Sequence, residues 1–509
     1  MTRVFKSDLE FIEMIESLFK KARKDLFYPP IKFEIKDVPN SYLDFSSRKY
    51  RIVISRKQLK SLSEKAVLGI LHHELNHWVK HPYDAKTIIL ELHWLGKRRN
   101  KKIIRNLYDD IVVNLDLVIN KGLDDITQVY REVKPITKID HLTRALLNKI
   151  TGLDFGKYKL DGVLKKKLKK LIEIDYLDTS RIRLKNNIRR FADIIEDVIS
   201  EQSVPFITFD LDDFSCEDIK RALREIAKEV EKDEYIKIVK EFFEGFEIEE
   251  ERKIGIGASD LKREFEEPDI EWYKVRAMNY TIYIKPLKKT GSLYPSEIKD
   301  FEIEDGIDSY NPIESYGKLI PGIAKRYTFE DFEGFDYKSV KNAVIIIDSS
   351  GSMRNPDKKI SYAVLGAFAI AKSYIESGAS VGVINFSNRN IELLPTKTDD
   401  VFRYIKIYQG GGTTLNVKQL EEYVRIVGDA DYILITDAGL QNISEVLKFF
   451  SDFKYGLTLI WIKSDVKDMD EFRKNFEMFK KLRNVNIIEV EREEDIPRIA
   501  ITSVVDRYE

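Results

Sequence analysis

The chain has 509 residues, of which 43% are hydrophobic and 34% are charged, and its formal net charge is −1. This length predicts about three folding units, and the balanced charge excludes a general attraction to nucleic acid or anionic membranes. Since no apolar run approaches a bilayer span and the N-terminus lacks the apolar core of a signal peptide, we expect a cytoplasmic protein.

The first 130 residues predict an α+β domain. An amphipathic N-terminal helix is followed by two strands, at 31–38 and 48–55, and by a helix that begins at Ser63 and is stopped by Pro82. A further helix is predicted over 101–120. Cys216 is the single cysteine of the chain, so any transition metal must be bound by histidines and carboxylates.

The helix that starts at Ser63 contains a motif typical of zinc hydrolases. His73 and His77 are four residues apart, so both face the same side and can bind one zinc ion. Zinc lowers the pKa of a bound water to about 7, and Glu74 lies where it can accept the proton as a general base. Five of the six histidines fall within 22 residues of one another. This clustering favours a metal site over surface histidines stacked on an ordinary helix.

A third zinc ligand is expected from the helix at 101–120. Asp110 lies on its apolar stripe, where a carboxylate needs a metal or hydrogen bonds, so we predict it as the ligand. Asp109 lies on a face with other charged residues and is predicted to be solvated. His81 lies four residues after His77 and is rotated by about 40° around the helix relative to it, so we predict that it contacts the zinc ligands and does not bind the ion itself. His72 and His93 are predicted to be structural or surface residues.

The region 131–335 predicts mainly helices and a linker. Its basic stretch at 163–190 has apolar residues at helical spacing, which favours a solvated helix face over a nucleic-acid site. The segment IGIGAS at 254–259 predicts a flexible joint, and 290–335 has no clear periodicity.

Residues 336–509 predict a Rossmann-like α/β domain. Continuous apolar runs at 343–348, 380–386, 431–437 and 456–462 are typical of strands covered on both faces, and helical segments lie between them. The predicted fold is therefore an open parallel sheet with right-handed crossovers.

A second metal site is predicted at the carboxyl ends of these strands. Asp348, Ser350 and Ser352 follow the first strand, Thr413 follows three glycines, and Asp437 ends the strand at 431–437. Thr414 is an alternative to Thr413, which we prefer because it directly follows the glycines. Carboxylate and hydroxyl oxygens suit a hard cation such as Mg²⁺.

These motifs resemble those of predicted metallopeptidases with a zincin-like domain fused to a C-terminal von Willebrand A-like (VWA-like) domain. The shared residues are the HExxH helix, His81-Pro82, and the spacing Asn106, Asp110, Asn114 in the first part. The second part shares DxSxS, GGT and a strand-end aspartate. An arginine that commonly follows the His-Pro pair in that family is absent, since the sequence continues Tyr-Asp-Ala-Lys.

The resemblance implies roles for the second site, which is the metal-ion-dependent adhesion site (MIDAS) of VWA domains. Ser350 and Ser352 would bind the ion directly, and Thr413 directly or through water. Asp348 and Asp437 would hold metal-bound waters. A partner's carboxylate would fill the remaining position.

Two functions follow from the sequence. The first is a zinc-dependent peptidase whose VWA-like domain recruits a protein or peptide substrate or a regulator. The second is a non-enzymatic adaptor with a structural or vestigial zinc site, which works with an AAA-type ATPase. No P-loop motif occurs in the sequence, so the chain is not itself predicted to be an ATPase.

Overall fold

The computed structural model describes residues 8–38, 42–44, 51–199, 211, 214–247, 258–282, 294–302, 305–320, 322–330, 340–462, 469–483, 485–490 and 495. The chain divides into two compact units, Met1–Pro268 and Asp269–Glu509. The division falls inside the region 131–335. The predicted IGIGAS joint at 254–259 lies mostly outside the described residues.

The N-terminal unit combines a small sheet with many helices. Strands β1 (Lys32–Lys36), β2 (Tyr42–Asp44) and β3 (Arg51–Ser55) form a sheet in the order β1-β3-β2, with β1 parallel and β2 antiparallel to β3. The helices are α1 (Asp8–Asp25), α2 (Arg56–Leu59), α3 (Glu64–Val79), α4 (Ala85–Leu95), α5 (Lys101–Leu115), α6 (Ile126–Glu132), α7 (Lys138–Thr151), α8 (Gly162–Ile172), α9 (Arg181–Ile195), α10 (Cys216–Glu229), α11 (Lys232–Glu247) and α12 (Ala258–Glu264).

Helices α3, α4 and α5 lie at the centre of this unit. Helix α3 packs against α1, α5 and α6, and α4 packs against α5, α9, α10 and α11. The predicted helix over 101–120 is an α-helix that ends at Leu115 and continues as a π-helical segment, Asp116–Asn120. Helix α4 was not among the predicted elements. Its eleven residues include nine buried ones, which places it inside the helical core.

The C-terminal unit contains a six-stranded, mostly parallel sheet. Its strands are β7 (Ala343–Asp348), β8 (Val381–Phe386), β9 (Asn390–Thr396), β10 (Asp431–Thr436), β11 (Leu457–Ile462) and β12 (Val485–Val490). Their order is β12-β11-β10-β7-β8-β9, and only β9 runs antiparallel to its neighbour. This is the strand order of doubly wound α/β sheets, whose switch point here lies between β7 and β10.

The four predicted strands agree with β7, β8, β10 and β11 to within one residue at each end. All six residues of β7 are buried, as expected for a central strand covered on both faces. Helices of this unit are α13 (Pro268–Ala277, which begins at the unit boundary), α14 (Tyr362–Glu376), α15 (Asp400–Lys406), α16 (Val417–Val427), α17 (Ile443–Ser451) and α18 (Met469–Phe479).

A second, antiparallel sheet lies in the stretch that shows no clear sequence periodicity. Its strands are β4 (Tyr294–Asp300), β5 (Tyr310–Asn311) and β6 (Lys325–Glu330), in the order β4-β6-β5. The region 131–335 is therefore helical in its first part and contains strands in its last part. None of the described helices is long and apolar enough to cross a membrane.

Candidate metal centres

Helix α3 presents both histidines of the HExxH motif to the interior. The hydroxyl of Ser63 accepts a hydrogen bond from the backbone N–H of Ala66, which caps the first turn. The helix ends at Val79, two residues earlier than the predicted end at His81. Every residue from Ala66 to His77 is buried, so the motif lies on a helix enclosed by protein.

Three side chains of the N-terminal unit converge on one point. Nε2 of His73 lies 3.1 Å from Nε2 of His77, and Oδ1 of Asp110 on α5 lies 3.4 and 3.3 Å from these two nitrogens. A tetrahedral zinc ion with bonds of about 2.0–2.1 Å separates its ligand atoms by about 3.3–3.4 Å. The triangle of donor atoms therefore has the size that such an ion requires.

The two imidazole rings are oriented by bonds at their other nitrogens. Nδ1 of His77 lies 2.9 Å from the backbone oxygen of His81, which can only accept, so Nδ1 carries the proton. Nδ1 of His73 lies 2.8 Å from Oδ1 of Asn114, whose amide nitrogen donates to the hydroxyl of Tyr130. When both rings are neutral, each Nε2 is thereby left with a lone pair directed at the common point, the arrangement found in metal-binding histidines.

The three side chains of the triangle shift one another's pKa. Burial lowers the pKa of His73, but the hydrogen bond and negative charge of Asp110 outweigh it and raise that pKa to about 9. Burial, together with the positive charge of His73, lowers the pKa of His77. The hydrogen bonds from both histidines hold the pKa of Asp110 below its ordinary value despite burial.

Glu74, the predicted general base, is fully buried on the same helix, and its negative charge contributes to the raised pKa of His73. In the described part of the chain, no further histidine, cysteine, aspartate or glutamate joins His73, His77 and Asp110 at ligand distance. A four-coordinate ion held by His73, His77 and Asp110 would therefore keep one position for water or substrate.

The prediction that Asp109 is solvated is wrong. Asp109, predicted to be solvated, is only 2% exposed and lies 3.1 Å from Nε2 of His81. Its helix is buried on almost every side, because Arg105 and Asp116 on the supposedly solvated face are buried as well. Glu91 of α4 lies 2.8 Å from the same nitrogen. His81, Glu91 and Asp109 thus form a second buried group, which sequence reasoning missed.

The other two histidines of the cluster have structural partners. His72 is buried, and its ring nitrogens lie 3.2 Å from Asp25 and 3.5 Å from Asp125. Nδ1 of His93 lies 2.6 Å from a carboxylate oxygen of Glu241, which accepts the hydrogen bond. Neither lies in the triangle of His73, His77 and Asp110.

The C-terminal unit brings its predicted residues together at the switch point of the large sheet. Asp348 ends β7, and one of its oxygens accepts a hydrogen bond from the backbone N–H of Ser350, while the other accepts from the hydroxyl of Thr436 at the end of β10. The hydroxyl oxygens of Ser350 and Ser352 are 3.1 Å apart. Asp437 follows β10, and its Oδ1 accepts from the N–H of Gly439.

The glycine-rich loop lies against the DxSxS loop. The N–H of Gly351 donates to the oxygen of Gly411, and the N–H of Gly410 donates to the oxygen of Ser349, both at 2.9 Å. Gly410 has a φ of +68°, a conformation that favours glycine. These bonds place the following threonines near the end of β7.

The two threonines after the glycines differ in their surroundings. Thr413, the predicted ligand, is buried. The hydroxyl of Thr414 donates to the side-chain oxygen of Gln441 at 3.2 Å, so it is engaged elsewhere. This difference favours Thr413 over Thr414 as a metal ligand.

Two buried carboxylates dominate the charge of this second site. Burial and the negative charge of Asp437 raise the pKa of Asp348 to about 7, and burial raises the pKa of Asp437. Oδ2 of Asp437 is buried and makes no hydrogen bond within the described residues. Carboxylates and hydroxyls that share one buried site form the oxygen-rich donor set of a hard divalent cation such as Mg²⁺.

A scan against protein-family models and a search of curated proteins both find no match for this chain.

Proposed function

We propose that the N-terminal unit is a zinc-dependent hydrolase of peptide bonds. The observation that carries this proposal is the triangle of His73, His77 and Asp110, with three donor atoms at the spacing of a tetrahedral ion. A zinc ion bound there would act as a Lewis acid and lower the pKa of a bound water to about 7.

The chain's own residues then have separate tasks. His73, His77 and Asp110 hold the ion, while Asn114 and the backbone oxygen of His81 fix the two rings. Glu74 accepts the proton of the attacking water and passes it to the leaving amine. Such an arrangement suits hydrolysis of an amide without a covalent intermediate.

The variant Glu74→Gln tests this role, because it removes the base and keeps all three ligands. We expect it to retain one equivalent of tightly bound zinc and to lose cleavage of a fluorescently labelled, unfolded protein substrate. Glu64→Gln, an exposed glutamate at the start of the same helix, is the control and should cleave like the wild type. Undiminished cleavage by Glu74→Gln would contradict the mechanism.

One observation favours the adaptor function instead. All three ligand side chains are almost completely buried, with Asp110 the most exposed at 10%, which restricts the access of a large substrate to this point. The Co²⁺-substituted protein separates the two functions. An open position predicts that a small hydroxamate changes the visible spectrum of the bound Co²⁺, whereas a structural site predicts an unchanged spectrum.

For the C-terminal unit, we propose a VWA-like domain that binds Mg²⁺ through Asp348, Ser350, Ser352, Thr413 and Asp437. A carboxylate of a protein partner, with an AAA-type ATPase as the expected class, would complete the coordination. The support is the convergence of the three loops at the carboxyl ends of β7 and β10.

Partner binding should require both the cation and the site. In pull-downs, binding by the wild-type protein should be lost with EDTA and restored by Mg²⁺, and Asp348→Ala should fail to bind. Zinc content should be unchanged in this variant. Equal capture by both proteins, with or without chelator, would exclude the site as the docking surface.

A further inference from the structure

A second group of potential metal ligands lies beside the first in the N-terminal unit. His81 follows α3, Glu91 lies on α4 and Asp109 lies on α5, and all three side chains are at most 2% exposed. Their ligand atoms lie within 4.8 Å of one another. Among the described residues, this group and the His73, His77, Asp110 triangle are the only two of this kind.

The hydrogen bonds of the group do not satisfy its carboxylates. Nε2 of His81 has one hydrogen, which is directed at Oδ1 of Asp109 at 3.1 Å. Oε1 of Glu91 lies closer to this nitrogen, at 2.8 Å, as an ion-pair partner, but within the described part of the chain neither oxygen of Glu91 has a donor in good hydrogen-bond geometry. A buried carboxylate costs several kcal/mol unless a cation or hydrogen bonds compensate it. A divalent cation bound by the three side chains would supply that compensation.

We infer that His81, Glu91 and Asp109 bind a second divalent transition-metal ion, distinct from the ion of the HExxH triangle. One imidazole and two carboxylates carry a net charge of −2 when His81 is neutral, which a divalent ion cancels. A donor set of one nitrogen and two carboxylates suits Zn²⁺ or Mn²⁺.

The neighbourhood of the group predicts that this ion binds more weakly than the first. Nε of the buried Arg105 lies 3.7 Å from Oδ2 of Asp109, so a positive charge adjoins the ligands. The competing arrangement is an imidazolium at His81 that pairs with both carboxylates and needs no metal. The two arrangements differ in metal content, which can be counted.

The test is zinc stoichiometry of the purified full chain, titrated from the metal-free state with saturating Mg²⁺ present to occupy the C-terminal site. We expect two equivalents of zinc in the wild type, and one in each of the isosteric variants Asp109→Asn, Glu91→Gln and Asp110→Asn. The exposed Asp124→Asn serves as control and should bind two. Circular dichroism verifies that each variant is folded.

The outcomes separate this inference from the proposed function. One equivalent in the wild type, unchanged in Asp109→Asn and Glu91→Gln, would overturn the second site and leave the hydrolase proposal standing. Loss of zinc in Asp109→Asn but not in Asp110→Asn would overturn the hydrolase proposal and leave the second site standing. X-ray absorption of zinc-loaded Asp110→Asn adds a direct check, since we expect one histidine ligand at the remaining ion. Two histidine ligands would place that ion on His73 and His77 and refute the inference.

Discussion

The paired carboxylates of the C-terminal unit predict an unusual response of stability to pH. Asp348 has a pKa of about 7 in the folded chain against an ordinary value of 3.8, because it is buried beside Asp437. The folded state therefore keeps a proton on Asp348 across a pH range in which the unfolded state has already lost it. Stability from this group is complete below about pH 4 and is lost as pH rises through about 7.

The size of this loss follows from the difference between the two pKa values. The uptake of this one proton changes the free energy of unfolding by at most about 1.4 kcal/mol for each pH unit between the two values. The effect belongs to the metal-free protein, since Mg²⁺ would neutralise the pair and remove the slope. Histidine titration cannot produce it, because all six histidines lie before residue 142 and the C-terminal unit has none.

The measurement is urea unfolding in EDTA at pH 5–8, followed by pulse-labelling hydrogen exchange in peptides from β7 and β10. We expect Asp348→Asn to remove most of the pH dependence and the stabilisation by Mg²⁺. The control Asp429→Asn, at an exposed ion pair of the same unit, should behave like the wild type. A wild-type stability that stays constant over this range, or a slope that persists in Asp348→Asn, would refute the reasoning.

Two further predictions concern packing. Gly69→Ala should destabilise the N-terminal unit by about 1 kcal/mol, because the added Cβ would lie 2.6 Å from the backbone oxygen of Asp125. This cost should outweigh the gain from alanine being the better helix former. Thermal unfolding should show a lower midpoint, and a raised midpoint would contradict the close approach. Ile346→Ala should lower the free energy of unfolding of the C-terminal unit by about 2–5 kcal/mol, since this side chain is fully buried in β7. The control Ile426→Ala, at a position 69% exposed, should leave the urea midpoint almost unchanged. Equal losses of stability in the two variants would refute the assigned core.

The candidate zinc ligands could be predicted because each follows from a local pattern. The spacing of His73 and His77 places them on one helix face, and the apolar stripe around Asp110 indicates that its carboxylate is enclosed. The structure brings these three side chains together. The second group could not be found this way, since Glu91 lies on α4, which was not among the predicted helices.

Asp109 shows why helix phasing alone was insufficient. Its companions on the helix face, Arg105 and Asp116, are charged, which normally indicates a solvent-facing side. In the folded chain Arg105 lies 3.7 Å from Asp109 on the same helix, Asp116 accepts a hydrogen bond from Asn76 of α3, and both charged side chains are buried. A helix surrounded by other helices has no solvent-facing side, and this environment is a tertiary property that a single helix pattern does not contain.

The strands of the large sheet were predictable to different degrees. The four central strands are continuous apolar runs, and their bounds could be predicted closely. Strands β9 and β12 lie at the two edges of the sheet and are only partly buried, so their sequences lack such a run. In the short antiparallel sheet, residues 297–300 of β4 are exposed, and the sequence of this stretch has no clear alternation.

His81 serves both groups of the N-terminal unit at once, with its backbone oxygen on His77 and its ring between Glu91 and Asp109. If a change at Glu91 or Asp109 displaces His81, the backbone oxygen of His81 moves with it and shifts the ring of His77. Thermodynamic reciprocity then applies: if occupation of one group changes the affinity of the other for its ion, the second changes the first by the same factor. Zinc titrations of the wild type, Asp109→Asn and Asp110→Asn would measure this factor, because each variant reports the affinity of one group when the other cannot bind its ion.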